Sequence, residues 1–286
     1  MPIMGAVPVF AEVDPVTFNI EPAQLDDACT AARDAGVEIV GIIGVGLFGQ
    51  PADYEALMRF AMANNLWLID DAAQSFGASL NHRKVGTLAH VTCTSFFPAK
   101  PLGCYGDGGA VFNDDDDIAE IIRSCRIHGM GKDKYQNVRI GMTGRLDTMQ
   151  AVVLDAKLDI FAEELALRQQ VADRYHDKIG NSVETPQLAA GASSSWAQYT
   201  IKLPADVDRD AICSKMQAAG VPTAIYYPVP MHCQPPYRHF PVAGGGLHTT
   251  DRLSKCVMAL PMHPYLEADT QDVIVAALKD ALGTEG

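Results

Sequence analysis

The chain has no two cysteines at Cys-x-x-Cys spacing, and its seven cysteines, at 29, 93, 104, 125, 213, 233 and 256, are odd in number. That argues against a zinc knuckle and a disulfide framework, and favours reduced thiols in a cytosol. Positive charge is also scarce: 22 Lys and Arg against 35 Asp and Glu leave a net charge of −13. Such a chain repels a phosphate backbone, so nucleic acid is a poor partner, while a local cation cluster still admits an anionic substrate. No apolar run is long enough to cross a bilayer; the most apolar one, residues 37–48, is too short and too rich in glycine. Residues 1–10 carry no basic stretch before their apolar part, so they do not read as a signal peptide but as a strand already in progress. No internal repeat is found.

What is present is ordinary globular material. The 286 residues are 48% hydrophobic and 20% charged, enough for one large domain or for one domain plus a smaller one. Strand and helix signals alternate in the first half. Strands are expected at 7–13, 37–45, 66–69, 91–96 and 109–112, and helices at 22–35, 51–64 and 115–125. That βαβ alternation predicts an α/β fold, a mostly parallel sheet with helices on both faces. A helical pattern of unusual length runs from 147 to about 179 and has the reach to bridge two domains. The second half is expected to hold strands at 198–203 and 224–227 and helices at 209–219 and 271–281. The expected division is a large domain over 1–160 and a smaller α+β domain over 161–286.

Gly44-Val45-Gly46-Leu47-Phe48-Gly49 fits the dinucleotide pattern G-x-G-x-x-G, with Asp70 and Asp71 about 20 residues on. Pro51 delays the helix until after the glycines, however, and the dinucleotide reading leaves the rest of the chain unexplained. The simpler reading is that the glycines let the strand end and its loop approach a neighbour closely.

Two segments carry chemistry. In Ser95-Phe96-Phe97-Pro98-Ala99-Lys100-Pro101-Leu102-Gly103, followed by Gly106-Asp107-Gly108-Gly109-Ala110, a lysine sits in an apolar loop flanked by Pro and Gly. Partial loss of water there makes its amine a nucleophile toward a carbonyl. Ser95, at a strand end, offers a hydroxyl to an oxyanion. In Leu68-Ile69-Asp70-Asp71-Ala72-Ala73-Gln74-Ser75 a carboxylate stands at the carboxyl end of a buried strand, where open sheets bind ligands. A protonated pyridine nitrogen would partner it; a helix N-cap over 72–76 explains Asp71 equally well.

Together these segments closely resemble the DegT/DnrJ/EryC1/StrS sugar aminotransferases, which have the fold type I architecture of aspartate aminotransferase. The resemblance runs from Gly5-Ala6-Val7-Pro8 to Leu260-Pro261-Met262-His263. It implies pyridoxal 5'-phosphate as cofactor, with Lys100 as the lysine that bonds to it and moves the proton. It makes Asp71 the partner of the pyridine nitrogen, Gln74 the neighbour of the ring and Ser95 a phosphate ligand. The segment from Ile140 to Ala151 matches a later family motif, with Thr143 where the family has an Asn that reaches the neighbouring subunit's cofactor. Arg145 suits a substrate anion, with an ordinary helix-start arginine as the alternative. Tyr226-Tyr227-Pro228-Val229-Pro230-Met231-His232 is similar to the branch that aminates the 3-keto group of a UDP-2-acetamido hexuronic acid, although Tyr226 stands where that branch has His. That makes Tyr226 and Tyr227 substrate-binding candidates; His232 and His263 read as structural loop histidines. The resemblance further implies a cytoplasmic homodimer and an amino-acid donor such as L-glutamate. The family also has roughly 80–90 residues ahead of the position of Gly5, with a Gly-Thr phosphate loop and a ring-stacking aromatic. Neither is found here, so a non-catalytic family member is the alternative, with the dinucleotide oxidoreductase a more distant one.

Overall fold

A computed structural model describes residues 2–133 and 135–283. After helix α1 (Leu25–Asp34), strand β1 (Gly41–Val45) leads through a tight loop to α2 (Tyr54–Ala63) and β2 (Trp67–Asp71). A short hairpin, β3 (Ser79–Leu80) and β4 (Arg83–Lys84), precedes β5 (Val91–Ser95), β6 (Gly109–Phe112) and α3 (Asp116–Arg126). The long α4 (Thr148–Ile179) then leads to β7 (Tyr199–Lys202), α5 (Arg209–Ala218), α6 (His248–Cys256), β8 (Val257–Leu260) and α7 (Ala268–Leu282).

The main sheet has the order β1-β2-β5-β6, parallel except for the last pair. This is the mostly parallel α/β sheet expected from the alternating signals. Side chains alternate across it, so Ile42, Leu68, Asp70, Thr92 and Thr94 are buried on one face, where α2 packs. The opposite face carries Ile43, Val45, Ile69, Asp71, Cys93, Ser95 and Val111 and is more open, with Val45 39% and Val111 44% exposed. Aspartates cap the helices that start around the sheet: Asp53 accepts from the Ala56 N–H, and Asp115 from those of Asp117 and Ile118.

The second half builds its own core around the antiparallel pair β7–β8, with α5, α7 and the C-terminal turns of α4. Tyr175, Tyr199, Ile201, Met216, Met258 and Leu278 are its most buried side chains. α4 serves both regions. Leu154 and Phe161 pack with Phe96, Leu102 and Cys104 beside the main sheet, whereas Val171, Tyr175 and Ile179 belong to the second core. At 32 residues α4 is about 48 Å long.

Two expected strands do not form. Residues 7–13 are extended but form no ladder, making only the isolated bridges Phe10–Val242 and Val13–Ile20 as β pairings. Residues 224–227 make a single bridge, Ala224–Ala259. In both segments apolar residues are interrupted by prolines nearby, which hold the chain extended but withhold the donors a ladder needs. β8 and α6 went unexpected; β8 is buried at every position, so it lacks the alternation by which a strand is recognised.

Candidate active site

The acidic pair at the end of β2 divides by the pleat. Asp70 turns into the buried face, where it accepts hydrogen bonds from Tyr54 Oη at 2.5 Å and Thr92 Oγ1 at 3.3 Å. Burial raises its carboxyl to a pKa of about 6, against the lowering effect of those two bonds, and the same burial and pairing raise Tyr54 well above its usual value. Asp71 turns to the open face. Its Oδ1 accepts the Ala73 N–H at 3.1 Å, in a turn rather than at the start of a helix.

β5 supplies the next group. Asp71 lies opposite Cys93, so Ser95 is two residues further along the same face of the neighbouring strand. Strand spacing and rise put the two Cα atoms about 8 Å apart. Ser95 Oγ accepts from the Phe97 N–H at 3.2 Å.

The Lys100 loop that follows is pinned from below. Phe96 donates to Gly108 O at 2.7 Å and receives the Cys104 N–H at 2.8 Å, while Lys100 itself donates its N–H to Phe97 O at 2.9 Å. The buried Cys104 Sγ reaches Phe96 O and Gly106 O, and Lys157 Nζ on α4 donates to Gly103 O at 2.6 Å. A Cβ on Gly103 would lie 2.6 Å from Pro98 O, so only glycine permits this fold-back. Residues 101–104 are buried and Lys100 is half-buried at their edge.

The glycine loop after β1 is engaged by side chains. Leu47 donates its N–H to Asn19 Oδ1 at 2.8 Å, and Phe48 donates to Gln74 Oε1 at 2.7 Å. Ser195 donates its N–H to Gly49 O at 2.9 Å. Gly49 has φ of +121°, and a Cβ there would meet Trp196 N at 2.6 Å. With two of its N–H groups taken and its chain wedged against residues 194–197, the loop has no free nest for a pyrophosphate. The dinucleotide alternative fails here, and close approach is what the glycines serve.

Gln74 is buried, and its Nε2 donates to Tyr227 Oη at 3.4 Å. The Tyr226 and Tyr227 rings meet edge to face at 5.6 Å, with Tyr226 partly buried and Tyr227 exposed. Asp71 and Ser95 thus share one face at the carboxyl ends of β2 and β5, Gln74 is joined to the tyrosine pair by its bond to Tyr227, and Lys100 follows β5 in its pinned loop. Thr143 and Arg145 stand apart, in an exposed stretch after α3. Thr143 meets Ile127 by an isolated bridge and His128 Nε2 at 3.3 Å. Among the described residues neither makes a hydrogen bond to Asp71, Gln74, Ser95 or Lys100. Sequence reasoning missed Asn19, Lys157 and Ser195, which hold the loops in position and carry no motif.

Residues 2–279 match the DegT/DnrJ/EryC1/StrS aminotransferase family. The chain belongs to that family. It is a fold type I, pyridoxal-phosphate-dependent aminotransferase. Among its relatives is a UDP-2-acetamido-2-deoxy-3-oxo-D-glucuronate aminotransferase from Pseudomonas aeruginosa, 43% identical over 96% of this chain and 74% of that one. A pleiotropic regulatory protein from Geobacillus stearothermophilus is 39% identical over 96% of this chain and 73% of its own length. A DegT DnrJ EryC1 StrS aminotransferase from Brucella abortus superposes with a TM-score of 0.95 at 43% identity, covering 99% of this chain and 75% of that one. DesV from S. venezuelae, solved in complex with a ketimine intermediate, gives 0.87 at 29% identity over 96% and 72%. The donor set fits the cofactor of this family: an amine in a rigid loop, a carboxylate and a hydroxyl on one face of adjoining strands, and an amide beside them.

Proposed function

We propose that this chain transfers an amino group from an amino acid, such as L-glutamate, to a keto sugar nucleotide in amino-sugar biosynthesis. The observation that carries the site is the register of β2 against β5, with Asp71 and Ser95 on one face and the Lys100 loop, which follows β5, fastened to α4. Pyridoxal 5'-phosphate, when bound, supplies the electron sink that stabilises negative charge on the carbon losing its proton. Lys100 is the residue that bonds to it covalently, and its amine takes and returns the proton at the substrate carbon in both half-reactions. Asp71 keeps the pyridine nitrogen protonated. Gln74, fixed by the Phe48 N–H, would face the ring, and Ser95 would hold the phosphate. Tyr226, Tyr227 and Arg145 contact the sugar nucleotide, Arg145 through an anionic group.

The Pseudomonas aeruginosa relative supports a UDP-linked 3-keto hexuronate as acceptor. Exposed apolar side chains along 138–160, among them Ile140 at 98% and Met149 at 80%, support a homodimer joined through this stretch, with Thr143 reaching the neighbouring cofactor. Seven free cysteines support a cytoplasmic site of action, and no helix among the described residues is long and apolar enough to cross a membrane. A division into two domains near the expected bounds, 1–160 and 161–286, is supported by the change of core along α4, which falls between Leu165 and Val171.

The test is to add pyridoxal phosphate, record the visible spectrum and reduce with borohydride. A yellow band, trapped as a stable adduct at Lys100 and absent in Lys100→Ala, is expected. An adduct that survives in Lys100→Ala would end this reading.

A further inference from the structure

We propose that His232, Cys233 and Asp251 form a binding site for a zinc-class divalent cation, which clips the loop following Tyr226 and Tyr227 to the start of α6. The proposal stands independently of the transaminase reading. His232 Nε2 lies 3.1 Å from Asp251 Oδ1, and Cys233 Sγ lies 3.8 Å from the same oxygen. One ligand atom from each residue falls within 4.8 Å of the other two. In a tetrahedral zinc site, metal–ligand lengths near 2.0 Å for N and O and 2.3 Å for S require N···O and S···O edges of about 3.3 and 3.5 Å. The two edges to Asp251 already stand within a few tenths of an ångström of those lengths, and the His232–Cys233 edge lies within 4.8 Å.

The ligand types set the class of ion. Imidazole, thiolate and carboxylate together suit zinc, cobalt or a similar borderline ion, whereas magnesium and calcium require oxygen donors throughout. Both ligand-bearing turns are fixed by backbone and side-chain bonds. Cys233 donates its N–H to Pro230 O at 3.0 Å, and Gln234 donates to Met231 O at 3.1 Å, closing the turn that presents His232 and Cys233. Asp251 is in the first turn of α6, which lacks a cap of its own. Glu12 provides one from a distant part of the chain, accepting from the N–H groups of Thr249 and Thr250 and from Thr250 Oγ1. The Phe10 ring lies 6.3 Å from that of His232. Cys233 is exposed, which leaves water access to a fourth coordination position. Ligands 18 residues apart on two separate turns form no sequence motif, so the site is legible only in three dimensions.

The test uses the purified chain stripped of metal and titrated with cobalt(II). One equivalent is expected to bind with a thiolate-to-cobalt charge-transfer band that zinc abolishes. Cys233→Ser leaves the other six cysteines in place. It is expected to lose the band while keeping the wild-type circular dichroism. His232→Asn is expected to weaken binding roughly tenfold or more, since loss of a ligand costs at least as much as loss of an outer-shell partner. Zinc is expected to raise the melting midpoint of the wild type and not of Cys233→Ser. Absence of a thiolate band, its persistence in Cys233→Ser, or an equal stabilisation by magnesium overturns the proposal.

Discussion

The sheet end and the stretch over 137–147 hold site residues in opposite ways. At the sheet end every group hangs from paired backbone: Asp71 and Ser95 from adjoining strands, Lys100 from a loop closed on Phe96, Gln74 from the Phe48 N–H. Along 137–147 the side chains except the half-buried Leu146 are exposed and the chain is tied back by a few bonds to residues 125–129. The first region is organised by its own fold. The second is exposed, and Thr143 and Arg145 have a role there only under the proposed homodimer and substrate.

That contrast can be broken or sharpened by substitution. The largest effect belongs to the sheet end, where Asp71→Asn is expected to lower turnover on the order of 10²- to 10³-fold with the melting midpoint little changed. Steady-state rates beside a thermal scan measure this, and a normal rate would remove Asp71 from the site. Next comes the scaffold beneath. Gly49→Ala places a Cβ against Trp196 N at a φ of +121° and is expected to cost about 2–4 kcal/mol in urea unfolding.

The buried partner of Asp71 gives a smaller, pH-dependent signal. Asp70 has a folded-state pKa raised from 3.8 to about 6, so its contribution favours the folded chain below about pH 4 and is lost as pH rises through 6. That is about 2–3 kcal/mol between the limits. Urea unfolding at the two ends of that window is expected to show the loss in the wild type and not in Asp70→Asn. Smallest is Thr143→Ala, expected within about 0.5 kcal/mol of wild type in stability. If it unfolds the isolated chain, the two regions are not built differently after all.

Contiguity decided what was legible in sequence. Lys100 and Asp71 stood in unbroken motifs with glycines and prolines at fixed offsets, and α4 announced itself by length. The burial of Asp70 was not legible, because nothing in the sequence says which member of an acidic pair at a strand end faces the packed side. The ties from Asn19 and Ser195 were not legible either, since each bridges elements far apart in sequence with a common polar residue. The strand expected at 7–13 failed for the converse reason: its apolar residues suggested one, but the prolines nearby withhold ladder donors and, among the described residues, only isolated bridges form beside it.

α4 touches the Lys100 loop through the bond from Lys157 to Gly103 O, supports Gly77 with Phe161, and ends inside the second core with Tyr175 and Ile179. One helix thus bonds to the amine's own loop and is also buried in a core built from residues more than seventy positions further along the chain.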